Sequence, residues 1–175
     1  MVNISVVNDE VLYALDGVVC VNQSYIEGLK LHAAGNPRKR ARLCAHPDET
    51  NNLHEMLVVL GKANYIRPHL HTGKSESFHV IEGRADVILF DNDGKALKCI
   101  ELGEPASGLC FYFRLDKILF HTLVIRSDYF VFHETTNGPF IRTDMTFAEW
   151  SPKENEIEAG QLFIQNKIYE MGKSA

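Results

Sequence analysis

Along the chain, apolar and polar positions follow a helical period at each end and a strand period between. In the first 50 residues, Ile26, Leu29 and Ala33 recur at helical spacing and predict an amphipathic helix. The stretch "SYIE" has the form of a capping box, so Ser24 is the expected N-cap with Glu27 reaching back to it. Gly35 and Pro37 then stop the helix. From Leu53 the segments "LHEMLVVLG", "NYIRPHLH", "SFHVIEG", "RADVILFD", "ALKCIEL", "LCFYFRL", "ILFHTLVI" and "DYFVFHET" are short and rich in β-branched and aromatic residues. "EG" at 82–83, "DNDG" at 91–94 and "RSD" at 126–128 read as hairpin turns. From Ser151 the helical period returns: Ser151 is the expected cap, Pro152 and Glu154 follow in the first turn, and Ile157, Ile164, Ile168 and Met171 form one stripe ended by Gly172.

This pattern divides the chain into a helical and strand extension at 1–50, a β-barrel at 51–150 and a closing helix at 151–175. The eight closely spaced strand segments predict an antiparallel barrel or two-sheet jelly roll, so the fold class is mainly β with flanking helices. A length of 175 residues suits one domain with a real core.

Composition removes several classes of function. A net charge of -5 and a pI near 5.9 argue against a nucleic-acid binder. No apolar run approaches a membrane span, and "MVNISVVNDEV" lacks the basic end and apolar core of a signal peptide. A cytoplasmic protein without membrane contact is the expectation. Cys20, Cys44, Cys99 and Cys110 contain no C-x-x-C pair and read as reduced packing residues.

The chemistry concentrates in "RPHLHTGKSESFHVIEGR". Alternation along a strand points His69 and His71 the same way. "TGKS" makes a turn, and Glu76 opens a return strand, so two imidazoles and a carboxylate are expected to converge from a hairpin. Buried together, such groups are costly unless they pair or hold an ion. The spacing H-x-H-x4-E-x6-G, ending at Gly83, fits the first cupin motif. His121 is then the leading fourth ligand, with His133 and Glu134 as alternatives. Where the usual second motif carries proline, glycine and asparagine, this chain has Asp116, Ile118 and Ile125. His79 has the opposite parity to Glu76 and should face away, while His32, His46 and His54 read as surface or satisfied histidines.

"NPRKRARLCAH", "YIRPHLHTGKSESFHVIEGRADVILFDNDG" and "NGPF" together resemble the WbuC family of cupin-fold metalloproteins. The resemblance implies a jelly-roll cupin barrel and a metal held by His69, His71, Glu76 and His121. It also implies a place in bacterial O-antigen or related surface-polysaccharide biosynthesis. Three imidazoles and a carboxylate suit one divalent ion among Fe, Mn, Ni, Co, Cu and Zn. Such an ion would polarise a sugar or sugar-nucleotide oxygen for isomerisation or epimerisation.

Tyr65 and Glu134 are the candidate bases, alongside His133. Arg67 and Tyr65 share the strand parity of His69, and Lys74 lies on the turn. In "RKRAR", Arg38, Arg40 and Arg42 would share one side of a strand. Arg40, Arg67 and Lys74 are therefore the candidate contacts to an anionic carbohydrate. An Fe(II)-dependent dioxygenase and a non-catalytic sugar-binding cupin are the competing functions. Sheet edges left by such a barrel predict a homodimer, with His79, Leu43 and Val58 near its surface.

Overall fold

The computed structural model describes residues 2–172. Its strands are β1 (Ile4–Val6), β2 (Val11–Ala14), β3 (Arg40–Cys44), β4 (Leu53–Gly61), β5 (His69–His71), β6 (Glu76–Glu82), β7 (Arg84–Phe90), β8 (Ala96–Gly103), β9 (Tyr112–Leu115), β10 (Phe120–Ile125), β11 (Tyr129–Asn137) and β12 (Met145–Phe147). Two helices flank them, α1 (Gln23–Gly35) and α2 (Ile157–Glu170). A seven-stranded sheet has the order β1-β2-β3-β4-β11-β6-β9, and a five-stranded sheet has the order β12-β5-β10-β7-β8. Neighbours are antiparallel except β2 and β3. The two sheets curl face to face as the double-stranded β-helix of cupins, so the fold is mainly β with helices on the outside.

Period-2 alternation builds three apolar layers. On β11, Phe130 and Phe132 point between the sheets, where they meet Met56, Val58, Phe78, Val80, Val87 and Leu123. Val131 points the other way and packs with Leu43 and Val59 under Ile26, Leu29 and Ala33 of α1. On β7, Val87 faces in, while Ile88 and Phe90 face out against Ile164 and Ile168 of α2. β7 is therefore buried on both faces and apolar nearly throughout, whereas β6 exposes His79 and Ile81 on its outer face.

Several local readings change. The cap of α1 is Asn22, whose side chain accepts from the Tyr25 N–H at 3.1 Å, while Ser24 donates its hydroxyl to Asn22. A capping asparagine satisfies an orphan donor as well as serine does. Helix α2 begins at Ile157, not at Ser151. Ser151 donates instead to the Ala148 carbonyl at 2.9 Å, outside the helix.

Of the expected hairpins, "DNDG" does join β7 to its partner β8. The links at 82–83 and 126–128 instead carry the chain from one sheet to the other, since β6 and β11 belong to the larger sheet and β7 and β10 to the smaller. Gly83 has φ 82°, and a Cβ there would collide with the Tyr129 carbonyl oxygen, so only glycine makes that crossing.

No disulfide joins the cysteines; Cys44 is buried in the core, but Cys20 and Cys110 are exposed. Leu43 and Val58 are 0% and 8% exposed, so neither can contribute to a dimer surface. Among the described residues no helix is long and apolar enough to cross a membrane.

Candidate metal centre

β5 and β6 are not two arms of a hairpin. β5 lies in the smaller sheet and β6 in the larger, so "TGKS" spans the barrel and Glu76 faces the histidines across its interior. In the smaller sheet His69 pairs directly with His121 of β10, which puts both on the inner face. Ring centroids are 5.0 Å apart for His69 and His71, 4.5 Å for His69 and His121, and 5.7 Å for His71 and His121. The three imidazoles offer ligand nitrogens within 4.8 Å of one another. Glu76 closes the set, with Oε1 2.6 Å from His121 Nε2 and Oε2 3.5 Å from His71 Nε2.

The backbone orients the rings. His69 Nδ1 lies 2.9 Å from the Arg67 carbonyl and His121 Nδ1 3.1 Å from the Leu119 carbonyl. A carbonyl can only accept, so each Nδ1 carries the proton and each Nε2 turns a lone pair inward. With His121 neutral, its Nε2 and Glu76 Oε1 are two acceptors in close approach, both closed off from solvent. Their short separation does not offset that, because two lone pairs facing each other need a cation between them. A divalent ion fits this donor set, with imidazole and carboxylate ligands and backbone-fixed tautomers.

Charge inside the barrel follows the same geometry. Burial, reinforced by the neighbouring imidazoles, holds His69 down to about 3. Burial also lowers His71. Burial disfavours a charge on His121 too, but the adjoining Glu76 carboxylate outweighs it and raises the pKa. For Glu76 burial pushes upward, and the three imidazoles overcome it and hold the carboxyl below the ordinary range. In the metal-free protein a proton on His121 takes the place the geometry offers an ion.

The remaining candidates separate into those the barrel gathers and those it does not. Glu134 pairs with Met56 and Phe78, both inner-face residues, so its carboxyl also points inward. Burial, with the Glu76 charge adding to it, raises Glu134 to about 7. His133, its neighbour, points out and lies 3.9 Å from Glu55. His79 is likewise exposed on the outer face, beside Phe111 at 5.7 Å.

Tyr65 is not at the centre. It is 6% exposed, packs with Ile164 and Ile168 of α2, and donates its hydroxyl to the Pro152 carbonyl at 3.0 Å. Parity misplaced it because residues 62–68 are irregular, so alternation does not carry back from His69. Arg67 is diverted for the same reason: it donates to the Ala148 carbonyl at 2.7 Å and to Ser151 Oγ at 3.2 Å, with its guanidinium 5.2 Å from the Phe147 ring. Arg40 pairs with Glu10 at 2.6 Å and Glu154 at 3.3 Å, and Arg38 meets the same two acids. Lys74 donates to the Pro139 carbonyl at 2.7 Å.

His46 and His54 are buried rather than at the surface, with His46 satisfied by the Glu55 backbone at 3.2 Å, and they stack at 4.1 Å with Tyr13 edge-on to His46 at 5.5 Å. Their spacing carried no signal because β3 and β4 are joined by an irregular loop. An open cavity of about 420 Å³ lies elsewhere, between α1 and the β1–β2 ribbon, lined by Ile4, Leu12, Tyr25 and Leu29. It holds none of the imidazole cluster, and the donor set marks the chemistry better than the void does.

A family model described as a domain of unknown function, DUF6016, matches residues 21–102, which takes in His69, His71 and Glu76 and ends before His121. No curated protein matches the sequence significantly. Among solved structures, the chain is similar to a protein from Shewanella oneidensis, at 15% identity over 75% of this chain and 80% of that one, TM-score 0.50. It is also similar to a conserved protein with a double-stranded β-helix domain from Klebsiella pneumoniae, at 15% identity over 63% and 80%, TM-score 0.48. A third likeness is to an oxalate decarboxylase with Mn(II) centres from Bacillus subtilis, at 16% identity over 68% and 29%, TM-score 0.45. Identities this low speak of fold alone.

Proposed function

We propose that this protein is a metal-dependent cupin enzyme that isomerises or epimerises a sugar or sugar-nucleotide in bacterial surface-polysaccharide biosynthesis. The observation that carries the reading is the close pair Glu76 Oε1 and His121 Nε2, 2.6 Å apart and closed off from solvent, inside a ring of three imidazoles. The WbuC-like stretches of sequence supply the pathway and the sugar. A divalent ion on His69, His71, Glu76 and His121 would serve as a Lewis acid toward a substrate oxygen.

The chain's own residues supply the proton chemistry. Glu134 shares the inner face with Glu76, on the neighbouring strand, and is poised near neutrality at about 7. Both its acid and base forms are populated at working pH, as removing and returning a proton beside a carbonyl requires. Tyr65, held against α2 by its bond to Pro152, has no part in this.

The test is solvent exchange. Metal-loaded protein is incubated with sugar phosphates and nucleotide sugars in deuterated water, and the recovered sugar is analysed by mass spectrometry and NMR. Deuterium on one carbon that disappears with Glu134→Gln, at unchanged metal content, supports the reading. Oxygen uptake without exchange assigns the protein to the dioxygenases, and binding without either assigns it to the sugar-binding cupins.

We also propose a homodimer formed through the β9 edge of the larger sheet. Phe111, Tyr112 and Ile81 there are 45%, 55% and 39% exposed, an apolar stretch beside the outer edge of the sheet.

A further inference from the structure

Of the cations that the sequence places near the site, Arg42 is the one left over. Arg38 and Arg40 are held by Glu10 and Glu154, Arg67 by Ala148 and Ser151, and Lys74 by Pro139. The Arg42 guanidinium has no hydrogen bond or ion pair with any described residue.

Its position in β3 decides where it points. Arg42 pairs with Val58, an inner-face residue, and alternates with Ala41 and Leu43, which face α1. Two residues on, Cys44 pairs with Met56, and Met56 pairs with Glu134. The Arg42 charge is felt by Tyr13, Cys44, His46 and Glu134. An inner-face diagonal therefore runs from Glu76 past Glu134 and across Met56 and Val58 of β4 to Arg42, with Tyr13 and the stacked His46 and His54 beside it. The Arg42 side chain is exposed, so a ligand can reach it from solvent.

We propose that Arg42 is the anion-binding residue of the site: one end of the ligand meets the His69–His71–Glu76–His121 cluster, and a phosphate or carboxylate at its other end is held by the Arg42 guanidinium. A guanidinium offers such groups two parallel donors. This rests on the metal-centre reading above and adds the ligand's shape. β3 and β6 are three places apart in the sheet order. Arg42 is also in register, through Val58 and Phe132, with Val80, four residues along β6 from Glu76. At about 4.8 Å per strand and about 3.3 Å per residue the backbones lie roughly 20 Å apart, and the inward reach of the side chains leaves the two ends roughly 15 Å apart. That fits a long molecule such as a nucleotide sugar and excludes a compact dianion such as oxalate from bridging both.

The experiment uses linear dicarboxylates, from oxalate to hexadecanedioate, as molecular rulers on the full-length protein loaded with Co(II). Each is titrated against the monocarboxylate of equal length, with the cobalt absorption band as readout. Wild type should prefer the long dicarboxylates over their monocarboxylates by about tenfold or more. Arg42→Gln should erase that preference while cobalt content and the response to acetate stay unchanged, and Arg40→Gln should retain it. An undiminished preference in Arg42→Gln, or no preference in wild type, overturns the assignment. Absence of bound cobalt or of any acetate response overturns the metal-centre reading itself, and Arg42's role with it.

Discussion

His121 Nε2 and Glu76 Oε1 lie 2.6 Å apart, sealed from solvent, where a cation between them relieves the contact. A metal resolves that contact in one way and an amide in another. Glu76→Gln would give His121 a neutral N–H donor, so the metal-free variant should be as stable as wild type or more so. The same change removes a charged ligand, and metal affinity should fall by more than the about 10–100-fold typical of losing an outer-shell partner. Thermal unfolding with and without metal, together with a competing chelator, measures both. A parallel loss in the metal-free protein would show that the carboxylate serves packing rather than an ion.

Glu134 makes the stability of the metal-free protein depend on pH. Its pKa is raised from 4.5 to about 7 in the folded state. Between those values the folded protein binds more protons than the unfolded chain, so this group's contribution is complete below the lower value and is lost as pH rises through about 7. Glu134→Gln should therefore gain stability relative to wild type between pH 5 and 8, by an amount on the order of 1 kcal/mol or more. Denaturant unfolding at the two pH values gives the answer. A difference that stays flat would mean that Glu134 is not held in a dry site.

Tyr65 is a strut between the smaller sheet and α2. Tyr65→Phe deletes only the bond to the Pro152 carbonyl, so it should cost about 1 kcal/mol of stability. Metal content and any deuterium exchange should be those of wild type. A large loss of exchange at full metal content would return Tyr65 to the catalytic centre.

What the sequence made legible follows from where periodicity holds. The eight strands from β4 to β11 lie in short segments rich in β-branched and aromatic residues, each burying at least one face, and all eight were readable. His69 and His71 were placed on one face by alternation inside β5. The same rule failed for Tyr65 and Arg67, because the chain before Pro68 is irregular and parity has no meaning there. Turn glycines were visible at 83 and 94, but a turn does not say whether the chain stays in its sheet, so two crossings between sheets read as hairpins. The inward placement of Arg42, and the pairing of Arg40 with Glu10 and Glu154, depends on contacts between distant segments that no local pattern encodes.

The dimer proposal yields its own test. Light scattering at micromolar concentration should give twice the chain's 19.8 kDa. Tyr112→Glu, which puts a charge in the apolar stretch beside β9, should shift it to monomer with metal content intact. A monomeric wild type would mean that the β9 edge stays solvated.

The central claim is that His69, His71, Glu76 and His121 hold one divalent ion within the barrel. Elemental analysis of purified wild-type protein beside the His71→Ala, Glu76→Ala double variant tests it most directly. One equivalent of a first-row divalent metal per chain is expected in the wild type and none in the variant, with the variant still folded by circular dichroism. Full metal occupancy in the folded variant, or a wild type that takes up no metal from any of the candidate ions, would contradict it.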